Sequence, residues 1–196
     1  SICCGSVIFS AKRGAEQHNG EENQYFTMAV LDSVLLAVLA WVGVLAFEGP
    51  ILTFFGADET LLAMARRYMQ PIKLVFPLFL FNQMLAAFLR NDGSPALATG
   101  AVLAGGIFNI FGDFVFVFPM DMGIFGAGLA TAIGAAITFV VMLTHFFSKR
   151  NTLRLVRPSQ PWTKLRQVLV SGFSTFLSDV AMGILTMLFN RQIMAY

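Results

Sequence analysis

The chain has 196 residues, of which 57% are hydrophobic and 12% charged, with 21 Phe, 17 Gly and a net charge of +2; its mean hydropathy is +0.72. Soluble domains carry about 25% charged residues, and half that fraction is too little to coat a water-soluble fold, while apolar runs of about 20 residues, enough to cross a bilayer, recur along the chain. A soluble enzyme, a disordered tail and a secreted disulfide scaffold are excluded, and the fold class expected is an all-α polytopic membrane protein in a lipid bilayer.

In chain order, the apolar run Ile2 to Ala11 is too short to span and lacks the basic segment of a signal peptide. Adjacent Cys3 and Cys4 have neither metal-site nor disulfide spacing and read as small buried hydrophobes. A polar stretch, Lys12 to Gln24, precedes the first complete span, about Thr27 to Phe47, with Asp32 near enough to its start to stay wet. Glu48-Gly49-Pro50 ends that span, and the mixed segment Ile51 to Arg67 suits an interfacial helix. The second span is about Tyr68 to Leu89, with Pro71 in its first turn and Pro77 inside it. Arg90 to Pro95 forms a tight turn in which Pro95 starts the next helix. The third and fourth spans, about Ala96 to Phe118 and Ile124 to Phe147, are joined by the short turn Pro119 to Gly123. A basic loop, Ser148 to Arg166, leads to the fifth, about Gln167 to Phe189. Because the chain starts inside an apolar run and stops just as a span ends, without a hydrophilic tail, it is expected to be a piece of a longer transmembrane protein.

Sorting the basic residues by side puts Lys12, Arg13, Arg90, Lys149, Arg150, Arg154, Arg157, Lys164 and Arg166 together, against Arg66, Arg67, Lys73 and Arg191. The larger group belongs in the cytoplasm, which makes the protein multi-pass in a cell (inner) membrane. An acid deep in a span is costly and by default faces a cavity or a partner. Asp113 and Asp179 are read as such acids, and Asn109 stands four residues before Asp113, on the same helix face. Thr131 lies at comparable depth across the outer turn. A carboxylate, an amide oxygen and a hydroxyl together can bind a proton or a desolvated cation such as Na+, so Asn109, Asp113 and Thr131 are the candidate metal ligands. The competing reading is that Asn109 and Asp113 bond each other and tie helices together. Asp179 has no basic neighbour in sequence and suits a group that gains and loses a proton.

Asn82 and Gln83 are the polar candidates for a substrate cavity wall in the second span. Phe76, Phe79, Phe81, Phe88 and the phenylalanines between 108 and 118 either line a greasy cavity or face lipid. The small-xxx-small pairs Gly128/Ala132 and Ala130/Gly134 read as close helix packing. His145, at the cytoplasmic end of the fourth span, is read as interfacial with no special role. No nucleotide-binding loop, HExxH or GxSxG is present, so neither an enzyme, a nucleic-acid partner nor a bound cofactor is expected. Any transport would be driven by an ion gradient.

The stretches Leu89 to Thr99, Asn109 to Asp113 and Gly123 to Thr131 resemble the multidrug and toxic compound extrusion (MATE) family, with its R-x-x-G-x-P turn, N-I-x-x-D helix and G-x-x-G-A-A-x-A-T helix start. Gly128 stands where the family more usually has alanine. Gly172 to Asp179 is similar to the start of the family's seventh helix, although Ser174 stands where a proline is frequent. The resemblance implies part of a twelve-helix, two-lobed transporter. Residues 1–147 would then run from the end of helix two through helix six of the N-terminal lobe, 148–166 would be the cytoplasmic inter-lobe linker, and 167–196 the first helix of the C-terminal lobe. It implies an antiporter, coupled to Na+ or H+, that exports cationic or amphipathic small molecules. The ion-coupling residues would be Asn109, Asp113, Thr131 and Asp179, completed by helices outside this chain. Two alternatives stand beside it: a lipid-linked oligosaccharide flippase of the same superfamily, disfavoured by spans almost without basic residues, and a non-transporting membrane fragment.

Overall fold

Four of the apolar runs become four long antiparallel helices. The computed structural model describes residues 21–54, 59–149, 151–157, 162–163, 166, 170, 177–178, 180–186 and 188–189. In chain order these include α1 (Glu21–Phe54), α2 (Glu59–Asn91), α3 (Pro95–Val117) and α4 (Gly123–Leu143), which tightens into a 3₁₀ turn over Thr144–Phe147. Segments long and apolar enough to cross a membrane are Asn23–Gly49, Leu62–Asn91, Pro95–Val117 and Gly123–Phe147, close to the first four predicted spans. About half of the fifth predicted span, with Asp179, and the run carrying Cys3 and Cys4 lie outside the described residues.

Two expectations about the first half of the chain need correcting. Ile51 to Arg67 is not a separate interfacial helix. Residues 51–54 continue α1 beyond a kink at Phe47, where φ is −118° and ψ 23°; Pro50, three residues on, has no N–H to return to the preceding turn. Residues 59–67 are the first turns of α2, which at 33 residues is about 50 Å long and outreaches the hydrocarbon layer. Nor is Asp32 at a wet end: it is only 4% exposed, because α1 begins at Glu21, two turns earlier than predicted. Among the described residues that places a second acid, besides Asp113, deep in a span, with Oδ2 buried and no hydrogen bond to it.

α2 runs through both internal prolines without interruption. Pro77 cannot donate to the carbonyl of Lys73, and a freed carbonyl in a membrane must find another donor. Trp41 of α1 supplies it, its indole Nε1–H reaching the Lys73 oxygen at 2.7 Å. The Lys73 ammonium meanwhile pairs with Glu48 near the end of α1. One proline thus creates a specific contact between α1 and α2.

The turn between α2 and α3 forms as its sequence demands. Gly93 has φ +75°, and the Ser94 N–H bonds back to the Leu89 carbonyl at 2.9 Å, closing the helix in the left-handed glycine cap. Pro95 then occupies the first turn of α3, where its missing N–H costs nothing. Gly93→Ala is expected to destabilise the fold by about 1–2 kcal/mol, read as a lower thermal midpoint in detergent. Since open space surrounds a Cβ there, that loss reports backbone conformation alone.

Small residues bring the helices into backbone contact, as the glycine spacing suggested. A Cβ at Gly105 of α3 would collide with Thr138 Oγ1 and lie 2.5 Å from the Gly134 carbonyl oxygen of α4. One at Gly112 would lie 3.0 Å from the Ala130 Cβ. At Gly128 it would strike the Tyr68 carbonyl of α2, a close approach that accounts for glycine where the resembled family more usually has alanine. At the end of the bundle that holds the α2–α3 turn, a core of Phe26, Phe88, Leu89 and Met142 joins α1, α2 and α4, with Phe26 and Phe88 packed edge to face at 5.1 Å.

Candidate ion-coupling site and cavity

The α3–α4 contact sets the geometry of the site. On α3 the residues facing α4 recur as Gly105, Asn109 and Gly112, which is helical spacing. With glycines on either side, the backbones approach closely enough for a short side chain to bridge them. Asn109 Nδ2 donates to Thr131 Oγ1 at 3.1 Å. The Thr131 hydroxyl donates to its own helix, at the Ala127 carbonyl (3.1 Å), and lies 3.3 Å from the Tyr68 hydroxyl of α2. With its proton given to Ala127, Thr131 accepts from both Asn109 and Tyr68. One donated and two accepted bonds saturate a hydroxyl.

Asp113 sits one turn beyond Asn109 on α3, four residues before the helix ends at Val117, about 6 Å from that end at helical rise. The site therefore lies toward the end of the bundle that holds the α3–α4 turn. Its Oδ1 is buried and has no hydrogen-bond partner. Asn109 and Asp113 do not bond each other, so the tie between helices is made by Asn109 and Thr131, and the carboxylate keeps acceptor capacity. Among the described residues no group of three or more His, Cys, Asp or Glu is placed to hold a metal. One carboxylate with neutral oxygens nearby suits a proton or a monovalent cation better than a tightly held divalent ion. Asp179 lies outside the described residues.

Below Thr131 a cavity of about 450 Å³ opens between α2, α3 and α4, and Asn82, Gln83, Asn109 and Thr131 all line it. The two cavity-wall candidates and two of the ion-site candidates thus face one space. Asn82 also donates from Nδ2 to the Ala135 carbonyl at 2.9 Å, leaving its buried Oδ1 without a partner. Arg90 is the basic residue of the lining. The phenylalanines divide: Phe79 lines this cavity, Phe88 is fully buried in the core, and Phe111, Phe114 and Phe118 are exposed on the bundle's outside. Sequence reasoning missed Tyr68. Its place in the first turns of a helix carries no periodic or motif signal, and only the packing of α2 on α4 brings it to Thr131.

His145 also departs from its expected bland role. It is 1% exposed, and its Nε2–H donates to Asp92 Oδ2 at 2.7 Å. Asp92, part of a turn signal in the sequence, is 3% exposed. It also accepts from the Thr152 backbone N–H at 3.1 Å and from the Thr152 hydroxyl.

Comparison with known proteins gives this arrangement a setting. A protein-family model described as MatE matches residues 2–115. A multidrug export protein, MepA of Staphylococcus saprophyticus, is 24% identical over 174 residues, covering 87% of this chain and 38% of its own length. The MepA of a Staphylococcus aureus strain is 23% identical with the same coverage. Two solved structures share the fold. One, described as the inward-facing conformation of a multidrug resistance MATE family transporter of the MOP superfamily, is 21% identical with a TM-score of 0.77, covering 93% of this chain and 43% of that one. The other, described as MATE in the bent conformation, is 23% identical with a TM-score of 0.83, covering 93% and 41%. The chain therefore spans about two fifths of the relatives it matches. An antiparallel bundle of membrane-length helices, the Arg90 to Pro95 turn and a family match over more than half the sequence agree with the resemblance drawn from the residues, and the chain belongs to the MatE family.

Proposed function

We propose that this chain is part of the N-terminal lobe, with the inter-lobe linker and the first helix of the C-terminal lobe, of an ion-coupled antiporter that exports cationic or amphipathic small molecules across a cell membrane. The observation that carries the reading is the buried, unbonded Asp113 carboxylate oxygen one turn from Asn109, which itself faces the 450 Å³ cavity. An uncompensated acceptor inside a membrane protein is costly unless something visits it. A coupling proton would sit on Asp113. A coupling Na+ would take an Asp113 oxygen and the Asn109 amide oxygen, and would require Tyr68 or Asn109 to release Thr131 before that hydroxyl could join. Ion binding drives export only insofar as the ion prefers one access state. Asn82 and Gln83 supply polar contacts on the cavity wall, and Phe79 an aromatic face for a cation. A single basic lining residue, Arg90, fits this cargo better than a diphosphate-linked lipid.

The test uses a full-length transporter carrying this segment, reconstituted in vesicles loaded with a fluorescent cationic dye. An imposed inward Na+ or proton gradient is expected to drive dye export at least about tenfold faster than no gradient. ATP alone is expected to do nothing. Export equally fast without either gradient would remove ion coupling from the reading.

A further inference from the structure

Residues 151–157 lead from the end of α4 into the linker, and they are held on the cytoplasmic face of the bundle. Thr152 N–H donates to Asp92 Oδ2 at 3.1 Å, Arg154 N–H to Asn23 Oδ1 at 3.0 Å, and Val156 N–H to Thr27 Oγ1 at 2.9 Å. Every second N–H is captured, the repeat of an extended backbone. The acceptors match that repeat. Asn23 and Thr27 are four apart on α1, so they rise by about 6 Å, against about 6.6 Å for two residues of extended chain. Between Thr152 and Arg154, Leu153 inserts its side chain into the core cluster of Phe26 and Met142 and is 2% exposed. Its N–H closes onto Asn151 Oδ1 at 2.9 Å. Asp92, clasped by His145, anchors the start of the strap.

The anchors come from three places in one lobe: the first turns of α1, the turn between α2 and α3, and the 3₁₀ end of α4. Lifting the strap would strip donors from Asp92, Asn23 and Thr27 and expose Leu153 in one event. We propose that residues 152–156 stay docked on this lobe throughout the transport cycle, so that the hinge between the lobes begins beyond Val156. The inference rests on the export reading, because it assumes two lobes that rock against each other. It assigns to Asp92, His145, Asn23 and Thr27 the task of making the linker's first half part of the moving body.

Two measurements test it in a full-length transporter carrying this segment, with its native cysteines, including Cys3 and Cys4, replaced by serine. In the first, Thr27→Cys and Val156→Cys are joined by a short, reducible bis-thiol reagent. The joined protein is expected to keep at least half the gradient-driven dye export of the same protein after reduction. A tenfold loss that reduction restores would show that the strap must lift, and would overturn the inference. If the folded, reduced protein and its cysteine-free parent export no dye, the export reading fails and takes the hinge assignment with it. The second measurement needs no transport. Leu153→Cys, probed from the cytoplasmic side with a membrane-impermeant maleimide, is expected to react at least tenfold more slowly than Arg157→Cys in Na+, in acid and with dye. A rate rising to that of Arg157→Cys under any of these conditions would also overturn it.

Discussion

Asp113→Asn is expected to abolish coupled export while leaving expression and thermal stability close to those of the parent. The side chain gives up no hydrogen bond by the change, since Oδ1 has no partner, and the amide is nearly isosteric. What disappears is the negative charge. A bond from a charged group contributes about 1.5–3 kcal/mol, so a bound cation should be held on the order of 10–100-fold more weakly. Proton coupling at this residue would be lost outright, because an amide does not titrate. The measurements are gradient-driven dye export, Na+ binding by calorimetry, and the thermal midpoint of the same preparation. Full export with an unchanged midpoint would remove Asp113 from the site. Lost export with a midpoint lowered by many degrees would make it a structural residue instead.

Gly105→Ala should have the largest effect on the fold for the smallest change in composition. The added methyl would collide with Thr138 Oγ1 and approach the Gly134 carbonyl oxygen to 2.5 Å, and the second of these is backbone that cannot swing aside. Overpacking a close contact costs about 1–3 kcal/mol, and the helices would separate at the place where Asn109 reaches Thr131. Coupling should therefore fall together with the thermal midpoint. Adding Thr138→Ala removes the side-chain collision but not the backbone one, so it should recover only part of the lost stability. Gly106→Ala is the control: open space surrounds its Cβ, and alanine there should be neutral or slightly stabilising by helix propensity. Equal midpoints for Gly105→Ala and Gly106→Ala would show that the helices do not meet as closely as described.

Much of this protein was legible one residue at a time. The hydropathy of Asn23–Gly49, Pro95–Val117 and Gly123–Phe147 marked them as membrane-length helices, because the bilayer sets both the length and the polarity a span must have. Gly93 and Pro95 fixed the turn between α2 and α3, since each restricts its own backbone. The spacing of Asn109 and Asp113 placed both on one face of α3, and the glycines of α3 and α4 announced a close crossing. All these signals lie within one helix or one turn, so a local window captures them.

The remainder depends on how the helices are rotated against one another. Thr131 is saturated by Tyr68, 63 residues away, and the carbonyl freed by Pro77 is bonded by Trp41, 32 residues from Lys73. Asp92 meets His145 across 53 residues and Thr152 across 60. In sequence Asp92 belongs to a turn and His145 to a helix end, each unremarkable where it stands. Asp32 looked wet because the helix start was placed too late, and α1 instead carries it deep and buried. A polar side chain's meaning in a membrane is set by what stands opposite it. Hydropathy and spacing say which residues share a face, but only the packed tertiary structure brings that face against its partner.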